Sequence, residues 1–450
     1  MGKRAHVLAV SYPAQGHIRP LMKLSQRIAD RGVKVTFVST EFIHDVILAA
    51  SPEKGEEQNR IEMVSVPDGL EPGDDRKDGR KLIESISKVM PGHLEELIDK
   101  INSSSDVDEQ ITCVIAEVTV PWAIGIAQKM GIKNAMFFPP SVTSFAWSLR
   151  IPKLIEGGVI DNNGTALKNE MISLSPDSPA MSSADFPWSC PGNPTTQKLA
   201  FAFSISSAEA AKTSNWLLCN SIHELESSAC KLIPNLLSMG PLLLSSDGLE
   251  QSTGSFWPED STCLNWLDAQ PNKSVIYVAF GSTAIFSAQQ FEELTLGLEL
   301  VAQPTLWVVR SDLTDEFSER FGGRVKIVKW APQEKVLAHP SIACFLSHCG
   351  WNSTLEGLSM GVPFLCWPYF ADQFLNRNYI CDVWKVGLGL KAEGNGIISR
   401  HEIRRQMEML LCDGSIRANA VKMKELAGQS ISEGGSSFQN FNHFIEQIMG

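Results

Sequence analysis

Residues 330–373 read "WAPQEKVLAHPSIACFLSHCGWNSTLEGLSMGVPFLCWPYFADQ". Their middle decides the fold. "ACFLSHCG" (343–350) is an apolar run ending in a small-residue turn, "NSTLEGLSMG" (352–361) has helical spacing, and "VPFLCWP" (362–368) is a second apolar run. Strand, helix and strand in that order form the crossover unit of a parallel sheet. The aliphatic residues account for a core. They do not account for three Trp, a His-Cys-Gly-Trp-Asn-Ser run and a closing Asp-Gln pair.

The same alternation extends in both directions. Downstream of residue 260, "SVIYVAFGS" (274–282), "TLWVVR" (305–310) and "VKIVKW" (325–330) read as strands, with a helix over "SAQQFEELTLGLELVAQ" (287–303). Near the start, "HVLAVSY" (6–12) is a strand, "PAQGH" (13–17) a breaking loop and "IRPLMKLSQRIADRG" (18–32) a helix ending in Gly. "VKVTFVST" (33–40), "TCVIAEV" (112–118) and "KNAMFFPPS" (133–141) follow as strands, with a helix over "PWAIGIAQKMGI" (121–132). This predicts two doubly wound α/β halves, each a parallel sheet covered on both faces. The Gly-, Ser- and acid-rich stretch at 241–260 reads as their linker, giving domains at 1–240 and 261–430 and a last helix at 431–450. The poorly periodic segment around 155–200 reads as a long surface excursion.

Composition narrows the function. The 450 residues carry 39 Lys and Arg against 51 Asp and Glu, a net charge of −12. A nucleic-acid binder needs a basic face and a polybasic membrane anchor needs a cationic cluster, so neither partner is expected. No apolar run reaches the ~18 residues of a spanning helix, and the basic start lacks a cleavage site, so no signal peptide is expected. The ten cysteines include no Cys-x-x-Cys pair and read as reduced thiols of a cytoplasmic protein. A monomer is expected.

In doubly wound sheets ligands bind beyond the C-terminal ends of the strands. The turn after 343–347 opens a helix, whose N-terminal N–H groups suit a phosphate. His348, Asn352 and Ser353 add donors there, Gly350 allows close backbone approach, and Glu356 lies one turn on, where its carboxylate suits sugar hydroxyls. Trp330 offers a face for a base and Gln333 an amide, Gly281 and Ser282 follow another strand, and Asp372 and Gln373 suit a polyol. Base, ribose, diphosphate and sugar are all provided for, which describes a nucleotide-sugar site. No Walker loop and no Gly-x-Gly-x-x-Gly follows the first strand, which speaks against kinase and dehydrogenase chemistry.

The stretch resembles the 44-residue signature box of plant family 1 UDP-sugar-dependent glycosyltransferases, from Trp-Ala-Pro-Gln through His-Cys-Gly-Trp-Asn-Ser to the closing Asp-Gln. The resemblance extends over almost the whole chain, through "YPAQGH", "FGS", "LWVVR" and a Gly-Gly-Ser-Ser segment at 434–437. It implies the GT-B fold, two facing Rossmann-like domains with a cleft between them, and a last helix that crosses back to the first domain. It also implies that Trp330 stacks on uracil, Gln333 contacts the nucleoside, and Glu356 binds the ribose. Ser282, His348, Asn352 and Ser353 would hold the diphosphate, and Trp351, Asp372 and Gln373 would face the sugar. Trp351 and the closing Gln resemble glucose users, so UDP-glucose is the expected co-substrate, with another UDP-sugar the alternative. No cofactor and no metal are implied. His17 is implied as general base, suited by its neutral-pH titration. Glu117 stands where the family places an Asp that orients this His, on an arm one methylene longer, which leaves a catalytically impaired binding protein as a further alternative. Phe138, Ser141, Phe145 and Trp188, with Phe137, Trp147 and Phe186 as further candidates, suit a small flat hydrophobic acceptor such as a flavonoid, phenol or terpenoid.

Overall fold

Val- and Ile-rich runs pair where they are shielded on both faces, and the chain forms two such sheets. The structure is a computed structural model that describes residues 4–50, 61–76, 78–243, 256–281, 286–309 and 322–450. It divides into two compact units, Met1–Ala184 with Trp188–Trp257 and Ser430–Gly450, and Pro258–Gln429 with Asp185–Pro187.

The first unit holds β1 (His6–Val10), β2 (Lys34–Thr40), β3 (Ile61–Val66), β4 (Cys113–Glu117), β5 (Lys133–Phe138), a two-stranded hairpin β6 (Met171–Ile172) and β7 (Met181–Ser182), β8 (Trp216–Cys219) and β9 (Leu236–Ser238). Its main sheet runs β3-β2-β1-β4-β5-β8-β9, all parallel. The second unit runs β12-β11-β10-β13-β14-β15, also parallel, from β10 (Val275–Ala279), β11 (Thr305–Val308), β12 (Val325–Val328), β13 (Ile342–Ser347), β14 (Phe364–Cys366) and β15 (Gly387–Gly389). In each sheet the order reverses beside its first strand, between β1 and β4 and between β10 and β13. A parallel sheet opens a crevice at such a switch point, beyond the strand ends.

The long sequence runs became strands as expected, β12 at the edge of its sheet. Periodicity missed β3, β8, β9 and β15, which have three to six residues each and depend on a neighbour's ladder. Residues 155–200 lie largely at the surface, as expected, but are anchored: Trp188 is buried against Phe201 with Nε1 bonded to the Gly164 carbonyl at 2.9 Å, and the helix Pro194–Ala211 begins inside the segment. One expectation needs correction. Residues 241–243, expected in the linker, belong to the first unit: Leu242 joins its core, donates its N–H to Asn220 Oδ1 and accepts from Lys23 Nζ. Residues 244–255 lie outside the described residues.

The helix Ser436–Met449 presents one apolar stripe, Phe441, Phe444, Ile445 and Ile448, to the first unit's core. Arg27 and Arg31 lie 5.2 and 5.3 Å from the Phe441 ring. No helix among the described residues is long and apolar enough to cross a membrane.

Candidate active site

At the first unit's switch point, Val10 of β1 pairs with Ala116 of β4, so the loops after both strands emerge side by side. His17 and Glu117 meet there, with Nδ1 2.9 Å from Oε1. His17 is not in a loop, as the sequence suggested. The helix runs Gln15–Ala29 and places His17 in its first turn, its N–H bonded to the Ala14 carbonyl. Extended Ala14 starts the helix as N-cap, so the break at Pro13 is three residues shorter than it reads. The Glu117 side chain is fully buried, whereas 31% of the His17 side chain is exposed.

Thr119, which the sequence analysis did not single out, completes the cluster. Its backbone N–H donates to Glu117 Oε2 at 3.0 Å, and its hydroxyl donates to Oε1 at 3.1 Å and lies 3.3 Å from His17 Nδ1. Tyr12 packs edge-on to the His17 ring, with centroids 5.2 Å apart. Burial and the Glu117 charge push its hydroxyl's pKa well above the usual range, so it stays protonated.

The aromatic candidates divide. Phe138 and Phe145 contact each other at 3.8 Å between centroids. Ser141 Oγ accepts from Ser144 N at 3.1 Å, capping the helix Val142–Glu156. The buried Glu226 carboxylate accepts from Val142 N, Thr143 N and Thr143 Oγ1 at the same helix start. Phe137 packs in the core and Trp147, Phe186 and Trp188 are buried.

At the second unit's switch point, β10 ends at Ala279 and β13 at Ser347, paired in register. His348 lies between two glycines. A Cβ on Gly281 would sit 2.7 Å from its Nε2, and one on Gly350 would sit 2.4 Å away. Gly281 also takes φ +70°, a conformation that side chains resist. Burial pushes the His348 pKa down from 6.5 to about 4, so the ring is neutral at pH 7. The helix Trp351–Met360 starts at Gly350 without a side-chain cap, and Asn352 and Ser353 lie in its first turn. Ser282 lies outside the described residues.

Three expected donor residues form one hydrogen-bonded group. Gln333 Nε2 donates to Glu356 Oε2 at 2.6 Å and to Ser353 Oγ at 2.9 Å, and Tyr277 donates its hydroxyl to Gln333 Oε1 at 3.1 Å. Tyr277 was missed, although a Tyr inside an apolar strand signals a polar tip needing a partner. Trp330 follows β12, half-buried, and its carbonyl accepts from Asp260 N. The Trp351 ring is buried, 6.3 Å from Trp384. Gln373 Oε1 accepts from Tyr369 N at 2.8 Å and Phe370 N at 3.1 Å. Asn376, also missed, donates to Asp372 Oδ2 at 3.1 Å and to the carbonyl of left-handed Cys349 at 2.9 Å.

Residues 222–429 match the family model for UDP-glucoronosyl and UDP-glucosyl transferase. Over 453 aligned residues, the chain is 43% identical to UDP-glycosyltransferase 83A1 of Arabidopsis thaliana, covering 99% of this chain and 97% of that one. It superposes on Os79 from O. sativa in complex with UDP with TM-score 0.81 at 26% identity, over 98% of this chain and 100% of that one. It superposes on a Polygonum tinctorium UDP-glucosyltransferase capable of glucosylating indoxyl with TM-score 0.82 at 25% identity, over 100% of both. The chain belongs to the plant family 1 UDP-glycosyltransferases, with the GT-B fold of two Rossmann-like domains, and is a glycosyl-transferring enzyme.

Proposed function

We propose that the protein transfers glucose from UDP-α-D-glucose to a hydroxyl of a small hydrophobic acceptor, with inversion, to give a β-glucoside and UDP. The observation that carries this reading is the His17–Glu117 hydrogen bond. Glu117 accepts the Nδ1 proton, which places the imidazole lone pair on Nε2. Nε2 takes the acceptor's proton as its oxygen attacks the anomeric carbon. The bond from that carbon to the diphosphate breaks on the opposite side, and the electron pair leaves with UDP. Buried Glu117 stabilises the imidazolium that forms.

On the donor side, the helix at Trp351, the side chains of Asn352 and Ser353 and neutral His348 supply hydrogen bonds to the diphosphate. We take these fixed donors to carry its developing charge in place of a metal ion. Trp330 stacks on the base, and the Gln333–Glu356 pair receives the ribose. Asp372 and the amide hydrogens of Gln373 are set for sugar hydroxyls, which supports glucose, as does the glucosyl transfer performed by the Polygonum relative. The Phe138–Phe145 pair favours a flat aromatic or fused-ring acceptor. The formed His17–Glu117 pair weighs against an impaired binding protein.

The test is incubation of the purified chain with UDP-glucose and a panel of flavonoids, simple phenols and terpenoids, followed by mass spectrometry. A mass gain of one hexose that disappears in His17→Ala is expected. Tight UDP-glucose binding with no product from any acceptor would sink the reading. A preference for UDP-galactose, UDP-xylose or UDP-rhamnose would correct the sugar alone.

A further inference from the structure

A glutamate at position 117 raises a geometric problem, because its arm has one more rotatable bond than an aspartate's. A buried carboxylate on a free arm would sample rotamers and let the imidazole turn with it. Catalysis suffers when a reacting group is misplaced by an ångström.

We propose that Thr119 is the positioning residue that removes this freedom and so lets a glutamate serve at position 117. The proposal rests on the reading of His17 as the base. Thr119 reaches both carboxylate oxygens, Oε2 through its backbone N–H at 3.0 Å and Oε1 through its hydroxyl at 3.1 Å. The proton count then leaves one arrangement. The hydroxyl has a single hydrogen and gives it to Oε1. Its oxygen, 3.3 Å from His17 Nδ1, therefore faces that nitrogen as an acceptor, which requires the proton on Nδ1. The Nδ1 proton is shared between Oε1 and Oγ1, and both contacts select the tautomer with its lone pair on Nε2. The turn carrying Thr119 is itself anchored, since Val120 N bonds the Glu117 carbonyl and Ser207 Oγ bonds the Val118 carbonyl at 2.8 Å. Thr119 thus acts on the reaction through Glu117 and His17.

The experiment compares Thr119→Val, which keeps the shape and the backbone N–H but loses the hydroxyl, with Thr119→Ser, which keeps the hydroxyl. Kinetics use UDP-glucose and whichever panel acceptor wild type turns over. Thr119→Val is expected to lower kcat about 10-fold, the worth of one hydrogen bond to a charged group, with KM for UDP-glucose within about twofold of wild type. Thr119→Ser is expected to recover most of the loss. Independently of turnover, NMR of 15N-labelled histidine, assigned by the signal missing in His17→Ala, is expected to show one His17 tautomer in wild type and a mixture in Thr119→Val. Unchanged kcat with an unchanged tautomer overturns the proposal. So does a Thr119→Val defect accompanied by lost UDP affinity that serine does not rescue, which would mark a packing role. If wild type turns over no acceptor, the functional reading fails by itself, and the tautomer signal still decides the role of Thr119.

Discussion

Glu117 holds His17 through one carboxylate oxygen at 2.9 Å while Thr119 N–H holds the other at 3.0 Å. The site is therefore dimensioned for the longer acid. Glu117→Asp is expected to be slower than wild type, because the shorter arm cannot keep both contacts without moving the backbone. A loss of about 10-fold or more in kcat is expected, and about 10²–10⁴-fold in His17→Ala. Steady-state kinetics checks both, and a faster Glu117→Asp would show that the glutamate strains the pair.

His348 gives the fold a pH dependence of known sign. Its folded pKa, about 4, lies below the 6.5 of the unfolded chain. The unfolded state therefore binds the extra proton between those values. The associated stability is complete above about pH 6.5 and is lost as pH falls toward 4, up to ~3 kcal/mol in all. Melting temperatures from pH 7 to 4 are expected to fall more steeply for wild type than for His348→Gln. Parallel curves would remove His348 as the cause.

Gly281 has no room for a side chain. Gly281→Ala combines left-handed strain with a Cβ 2.7 Å from His348 Nε2. We expect a stability loss of about 1–3 kcal/mol and weaker UDP binding, since the imidazole must move. Denaturant melts and UDP titration by calorimetry measure the two effects, and wild-type values in both would show that the loop relaxes freely.

Gln333 joins Tyr277, Ser353 and Glu356 in one hydrogen-bonded group, proposed above to receive the nucleoside. Gln333→Leu leaves the buried Glu356 without that donor, so KM for the UDP-sugar is expected to rise by about 10-fold or more while kcat changes less. A variant losing kcat with KM intact would place Gln333 nearer the reacting bond than its contacts suggest.

The C-terminal helix stabilises the first unit by burying Phe444 completely. Phe444→Ala is expected to cost about 3–5 kcal/mol and to lower the melting temperature without changing UDP affinity. An unaffected melt would mean that this helix is not part of that folding unit.

The candidate donor residues stood out as a group because they are near neighbours in the chain, with His348, Asn352, Ser353 and Glu356 on one turn and helix. Tyr277 and Asn376 escaped because each looks like an ordinary strand or helix residue until its partner is placed. Thr119 escaped because it sits in the short turn after β4 and shows no pattern until Glu117 and His17 are placed beside it. The acceptor side was the least legible. Ser141 and Trp188 were picked by composition alone, and only the structure shows that one caps a helix and the other packs on Phe201.

By itself the sequence determined two doubly wound halves and a nucleotide-sugar chemistry, because strand–helix alternation and a contiguous motif are local properties. Only the tertiary structure decided that a glutamate 100 residues from His17 reaches its ring, and that a threonine two residues further on holds it there. That outcome depends on β1 lying beside β4 and on the turn after Glu117. Neither leaves a periodic trace in the chain, since a contact between distant segments is set by how the sheet assembles around them.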